Sequence, residues 1–363
     1  MQPPTVSFSQ EEPHQSPKHL PAAIQVMNIM NGVLAFHAIR VAAKYNLAGI
    51  IEEHGPLTVA QLAEKTGTHT FSLFRLLRAL ASIGIFQELN PEEEDYLHVS
   101  FAQTDLSLAL VPGLPDSMYD IAMLFDADWQ QNPWRVLEQS VATGVPGLKI
   151  LTGQDPWEYL RERPAERAQF QRAMTWLTRQ VEAAILQSYD FSSFRHVVDV
   201  AGGQGTLLMS ILRMYPHLAG TLFDRPEIID QVRPIIVQDP ELAARCTVVP
   251  GNFFEADTLP HSGDCYYVKQ IIQDWDDEHC IQILRNIRQS IQPEGRLLII
   301  EQVIEAGAGG AYNKFFDLQM LAILEGRART PREHERLLQS SGFRLVAVRP
   351  TPSTYSIVEC LPM

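Results

Sequence analysis

The chain has 363 residues, more than one hydrophobic core usually serves, so two domains are expected. Its formal net charge of -14 argues against a nucleic-acid backbone or an anionic bilayer as main partner, because both repel an acidic surface and no dense block of Lys and Arg offsets it. No apolar run of about 18 residues or more offers a membrane span.

Residues 1–20 carry Pro3, Pro4, Glu11, Glu12 and Pro13 and lack the basic start and apolar run of a signal peptide, so they read as a disordered tail. From 22 to about 51, Ile24, Met27, Val33, Leu34, Ala38, Ile39 and Ala42 recur at helical spacing, which predicts one or two long helices with an apolar face. Thr58 and Gln61 form a capping box that opens a short helix through Val59, Leu62 and Ala63. Gly67 turns the chain, and a second helix carries Phe71, Phe74, Leu77, Leu80 and Ile83 before Gly84 ends it. Residues 85–89 and 96–99 are the two expected strands of a wing. This pattern over 21–105 is a winged helix-turn-helix, which read literally binds DNA. The charge opposes that, and the second helix offers phosphates only Arg75 and Arg78. The same module serves as a dimerisation domain with its apolar faces buried against a twin.

Residues 106–189 read as mostly helical, punctuated by Pro112, Pro133, Pro146, Pro156 and Pro164, with Trp129, Trp134, Trp157 and Trp176 among them. Those tryptophans suit an aromatic pocket or ordinary packing equally well. From 190 to 363 short apolar strands alternate with helices, at 197–200, 220–223, 247–249, 266–268, 296–300, 343–348 and 355–359. Such runs predict an α/β fold, a doubly wound and mostly parallel seven-stranded sheet of Rossmann-like type buried on both faces. The last two strands are too closely joined for a crossover and pair antiparallel.

At the end of the first of these strands, Asp199-Val200-Ala201-Gly202-Gly203-Gln204-Gly205 supplies glycines that let a ligand approach the backbone. Asp224 ends the second strand, where a carboxylate can accept hydrogen bonds from a ribose diol; it can also cap the helix that starts near Pro226. No Lys or Arg accompanies the glycine turn, so a ribose-bearing cofactor fits better than a captured phosphate. Cys246, Cys265, Cys280 and Cys360 show no paired spacing, which suggests a reducing, cytoplasmic setting, and no His, Cys and carboxylate cluster suggests a metal. His261 and His279 read as surface residues.

These residues, together with Phe223-Asp224-Arg225-Pro226, Gly251-Asn252-Phe253-Phe254, the stretch from Asp264 to Glu278, and Arg329-Thr330, resemble in order and spacing the caffeate-type and hydroxyneurosporene-type O-methyltransferases. The N-terminal module and Phe170-Gln171-Arg172-Ala173-Met174 are similar to that family's dimerisation and connecting regions. The resemblance implies a homodimer, S-adenosyl-L-methionine as cofactor and a small-molecule acceptor. It places Gly202, Gly203 and Gly205 at the methionine part of the cofactor, Asp224 at the ribose, Asn252 and Phe253 at the adenine, and Lys269 near by. It implies an acceptor pocket lined by Phe170, Met174, Trp275, Met320 and Ile323.

The family signature His-Asp-Trp implies a histidine base, where this sequence has Gln273-Asp274-Trp275. Glutamine has no proton to titrate in the useful range. Ala328 stands before Arg329-Thr330 where the family often has Glu, and Glu301 keeps the family's acid at the end of the fifth strand. Three readings follow. An O-methyltransferase can take an acidic or enolic acceptor, or use Asp274 or Glu301 as a substitute base. A relative can bind the cofactor and do non-methylating chemistry such as rearrangement, hydroxylation or decarboxylation, with Gln273 polarising a carbonyl. A non-enzymatic DNA-binding or scaffold protein is the third.

Overall fold

Alternation decides the larger part of the chain. In β1 (His196–Val200) Val197 joins one apolar cluster with Leu207, Leu208, Leu222 and Ile229, while its neighbour Val198 joins another with Tyr266, Ile283, Leu284 and Leu338. Successive side chains of a strand point to opposite faces, so a strand greasy at both positions must have both faces covered. The computed structural model describes residues 20–261, 263–307 and 309–363. The chain divides into two units, one up to Leu110 and one from Val111 to Met363. The tail expected over 1–20 lies, Leu20 apart, outside the described residues.

The second unit holds a seven-stranded sheet. Its strands are β1, β2 (Ala219–Asp224), β3 (Cys246–Pro250), β4 (Cys265–Lys269), β5 (Arg296–Glu301), β6 (Phe343–Pro350) and β7 (Ser356–Pro362), in the order β3-β2-β1-β4-β5-β7-β6. The first five strands are parallel and β7 pairs antiparallel with both β5 and β6. The parallel registers align Val200 with Phe223 and Val268, and Lys269 with Ile300. The carboxyl ends of β1, β2, β4 and β5 therefore stand side by side, the edge where open sheets hold ligands. A third cluster of Leu124, Trp129, Leu160, Ala173, Met320 and Ile323 builds a helical layer from residues 119–188 and 311–323.

In the first unit, helices run over Ala22–Met30, Gly32–Lys44 and Leu47–His54, broken at Asn31 and at Asn46, whose φ is +52°. The capping box forms, with Gln61 N–H on Thr58 Oγ1 at 3.3 Å and Thr58 N–H on Gln61 Oε1 at 2.9 Å, and Gly67 ends that helix at φ +64°. Two expectations need correction. The wing strand expected at 96–99 lies at Ser100–Ala102, pairing with Leu57–Thr58 and Gln87–Glu88. Residues 96–98 turn instead, because Asp95 Oδ1 accepts Leu97 N–H at 3.0 Å and Tyr96 packs its ring on Phe71 and Phe74. Secondly, Ala22–Lys44 is long and apolar enough by length and composition to cross a bilayer. Asn31, Gly32 and His37 interrupt that run, so the sequence there is not continuously apolar.

Candidate active site

The glycine turn leaves β1 through Ala201 at φ +60°, and Gly203 and Gly205 follow at +58° and +69°. A Cβ on Gly202 would collide with the Asp199 carboxylate and Leu222, whereas one on Gly203 would meet nothing within 4 Å. The turn is therefore packed from below and open above. Asp224 at the tip of β2 reaches across to it: Oδ2 accepts Gly203 N–H at 2.8 Å and Oδ1 accepts Arg225 N–H at 2.7 Å. Burial raises this carboxyl above its ordinary range, against the two amide donors that favour the ionised form. Arg225, and not Asp224, precedes the helix Pro226–Val237 as its cap, so the carboxylate is free of the capping duty considered for it. Each oxygen keeps a lone pair for a further donor.

Asn252 and Phe253 follow β3. Both ends of the Asn252 amide are engaged in its own turn, Oδ1 accepting Phe254 N–H at 3.1 Å and Nδ2 donating to Glu255 Oε1 at 3.1 Å, which leaves one lone pair on Oδ1. The Phe253 ring meets Trp275 edge to face at 6.1 Å.

Lys269 ends β4 and donates to Gln270 Oε1 at 2.9 Å, with Gln270 held at φ +56°. Burial pulls the Lys269 ammonium down to about 8, opposed by Asp199 and Asp274. Asp199, buried beneath the glycine turn, is pushed by burial up to about 7. Burial likewise drives Asp274 well above the usual carboxylate range, Glu301 pushing the same way and Lys269 opposing. Three of these residues thus form one electrostatic set around the tip of β4.

Gln273 is only 2% exposed, and its side-chain Oε1 has no hydrogen-bond partner. Its backbone N–H donates at 3.0 Å to Oε2 of Glu301, which is fully buried and pushed up to about 7 by burial. Sequence reasoning missed what holds this turn. Arg329, wholly buried, donates from Nη1 to Ile272 O at 2.8 Å, from Nη2 to Trp275 O at 3.0 Å and from Nη2 to Asp277 Oδ1 at 2.7 Å. Gly326 lies so close that a Cβ there would overlap the backbone of Gln273, Asp274 and Trp275. The Arg-Thr pair and the glycine were visible in the sequence, but nothing local says that they pack on a turn some fifty residues earlier.

Phe170, Met174, Met320 and Ile323 do share one cluster. Trp275 joins it through Trp157, one of the four tryptophans suited to an aromatic pocket but outside the lining set that the resemblance implies: Trp157 stacks on Trp275 at 6.2 Å and meets Phe170 edge to face at 6.0 Å. His261 is exposed as expected, but His279 is half-buried, its ring 5.6 Å from Phe254 and its Nδ1 2.8 Å from Asp276 Oδ1. Among the described residues no group of three or more His, Cys, Asp and Glu gathers in a way that could hold a metal.

An O-methyltransferase domain model matches residues 134–344, and an O-methyltransferase dimerisation domain model matches 27–113. The chain is 35% identical over 320 residues to the mitomycin biosynthesis 6-O-methyltransferase of Streptomyces lavendulae, 88% of each chain. It is 35% identical over 344 residues to the phenazine O-methyltransferase of Lysobacter antibioticus, covering 95% of this chain and 97% of that one. A more distant relative, 31% identical over 343 residues, 89% of this chain and 86% of the other, is the aclacinomycin 10-hydroxylase of Streptomyces purpurascens. Among solved structures, the mitomycin 7-O-methyltransferase superposes with a TM-score of 0.84 at 34% identity, over 94% of this chain and 98% of that one. The glycine turn packed from below and open above, with a two-oxygen acceptor at its rim, fits a ribose-bearing cofactor. The chain belongs to the class I S-adenosylmethionine-dependent O-methyltransferase family, whose two characteristic domains it carries in order.

Proposed function

We propose that the chain methylates an acidic hydroxyl, phenolic or enolic, on a flat hydrophobic acceptor of secondary metabolism, and that Gln273 positions this hydroxyl without deprotonating it. The observation that carries the reading is the Gln273 side-chain oxygen, buried and without a partner at the carboxyl edge of the sheet. Such an atom is satisfied when a hydroxyl donates to it, and for an acceptor that arrives ionised the Gln273 amide N–H donates to the oxygen instead. Bound S-adenosylmethionine supplies an electrophilic methyl group on a cationic sulfur. Asp224 accepts the ribose hydroxyls, Gly202, Gly203 and Gly205 admit the methionine end, and Phe253 packs on the adenine with Asn252 Oδ1 at its edge. Lys269 balances the charge of Asp199 and Asp274. Asp274, which burial and then the Glu301 charge hold well above the usual carboxylate range, takes the proton of acceptors that do not ionise unaided. Phe170, Met174, Trp157, Trp275, Met320 and Ile323 clasp the flat acceptor.

Relatives that act on mitomycin and phenazine scaffolds support a polycyclic aromatic acceptor. The exposed side chains of Ile24, Met27, Ile29, Met30, Val33 and Leu34 support a homodimer built through the N-terminal domain, which also accounts for the apolar helix there without a bilayer. Four buried, unpaired cysteines suit the cytoplasm.

Incubation with methyl-labelled S-adenosylmethionine and a graded panel of phenols, enols and carboxylic acids tests the reading. The expected result is labelled product whose yield rises as the acceptor hydroxyl becomes more acidic. A panel that yields no product, with none gained on Gln273→His, overturns it. The hydroxylase relative favours one other outcome, conversion of an acceptor with no S-adenosylhomocysteine formed.

A further inference from the structure

The two carboxylate oxygens of Glu301 keep different company. Oε2 accepts the Gln273 N–H. Oε1 has no hydrogen-bond partner, yet Nε2 of His334 stands 3.4 Å from it. His334 lies on the helix Pro331–Ser340, is fully buried, and has neither ring nitrogen bonded. Leaving these atoms apart in the interior costs more than the shift of about half an ångström that would join them.

We propose that His334 is a positioning residue of the methyl-transfer site: its Nε2 shares one proton with Oε1 of Glu301, and that bond fixes the carboxylate that anchors the Gln273 backbone. The inference rests on Gln273 facing the acceptor. Neighbouring charges decide which forms of the pair exist. Arg329 and Arg327 stand on the approach to the His334 helix and Glu333 beside it; Asp277 and Cys280 lie on the helix Asp277–Ser290; Asp274 lies on the turn, Lys269 on β4, and Tyr355 just before β7. Burial and Arg329 both disfavour an imidazolium, pulling His334 down to about 3. The ring is therefore neutral in both forms. With Glu301 ionised, Nε2–H donates to Oε1. When Glu301 takes a proton from solvent, the carboxyl O–H donates to Nε2 and the ring proton sits on Nδ1, so the tautomer reports the carboxylate's state.

Nitrogen-15 spectra of the histidine rings in the full-length protein test this between about pH 5 and 9. The wild type is expected to show one ring, missing in His334→Phe, that passes from the Nε2–H to the Nδ1–H tautomer as pH falls. Glu301→Gln should abolish the passage. In His334→Phe, or His334→Asn if the first does not fold, the acid limb of kcat should move up by about one pH unit as the carboxylate loses a donor, with KM for S-adenosylmethionine little changed. A ring that keeps its pH response in Glu301→Gln, or that shows none in the wild type, overturns the proposal. So does a variant with lowered Tm and an unmoved pH profile. The ring spectra need no turnover, so failure to methylate any acceptor would sink the proposed function and leave this test standing.

Discussion

The guanidinium of Arg329 holds Trp275: Nη2 donates to the Trp275 carbonyl at 3.0 Å while Nη1 takes the Ile272 carbonyl at 2.8 Å, so one buried fork spans both ends of the turn that carries Gln273 and Asp274. Arg329→Met should orphan both carbonyls and leave Asp277 without this partner. A loss of about 3 kcal/mol in denaturant unfolding is expected, and Arg329→Lys, which cannot fork, should recover only part of it. Unchanged stability in Arg329→Met would remove the turn's anchor from the account.

Gly326 makes the complementary prediction. Any Cβ there overlaps the Gln273 carbonyl and the Asp274 backbone, so Gly326→Ala must displace the turn. The expected variant binds S-adenosylmethionine as the wild type does, because the glycine turn and Asp224 are untouched, yet loses at least about tenfold in kcat. Calorimetry beside steady-state rates separates the two effects.

Asp224 carries the largest expected effect on the cofactor. Asp224→Ala removes a charged acceptor and should weaken binding by roughly 10- to 100-fold, and Asp224→Asn by less. Equal affinity of Asp224→Ala and wild type in a calorimetric titration would show that the ribose lies elsewhere.

Gln273→His restores an imidazole while keeping the backbone N–H that Glu301 accepts. For weakly acidic phenols the rate should rise by about 100-fold, with little gain for acceptors already ionised at the assay pH. A gain independent of acceptor acidity would mean that the imidazole acts otherwise than as a base.

The buried pair predicts opposite pH signatures in stability. Glu301 is pushed from its ordinary 4.5 to about 7, so its contribution is full below 4.5 and is lost as pH rises to about 7, on the order of 3 kcal/mol. His334 is pulled from 6.5 to about 3, so its contribution is full above 6.5 and is lost as pH falls toward 3. Glu301→Gln removes the first slope alone. Its unfolding free energy should therefore fall less between pH 4.5 and 7 than that of the wild type.

What the sequence by itself determined is whatever repeats or caps over a few residues. Strands with near-continuous apolar runs required a sheet covered on both faces, the Thr58 and Gln61 spacing required a capped helix, and three glycines after β1 required a turn open to a ligand. Asp224 was legible because its neighbours in the chain fix it at a strand end. The position of the wing strand was not, since one Asp95 side chain turned the residues expected to form it. Nor was the spent hydrogen-bonding capacity of Asn252, which its own loop consumes. Only the tertiary structure placed Arg329 and Gly326 on the Gln273 turn, Trp157 between Trp275 and Phe170, and His334 against Glu301. These contacts join segments tens of residues apart, and no periodicity reports them, because a side chain's partner across a packed interior is chosen by how sheet and helices stack and not by what precedes it in the chain.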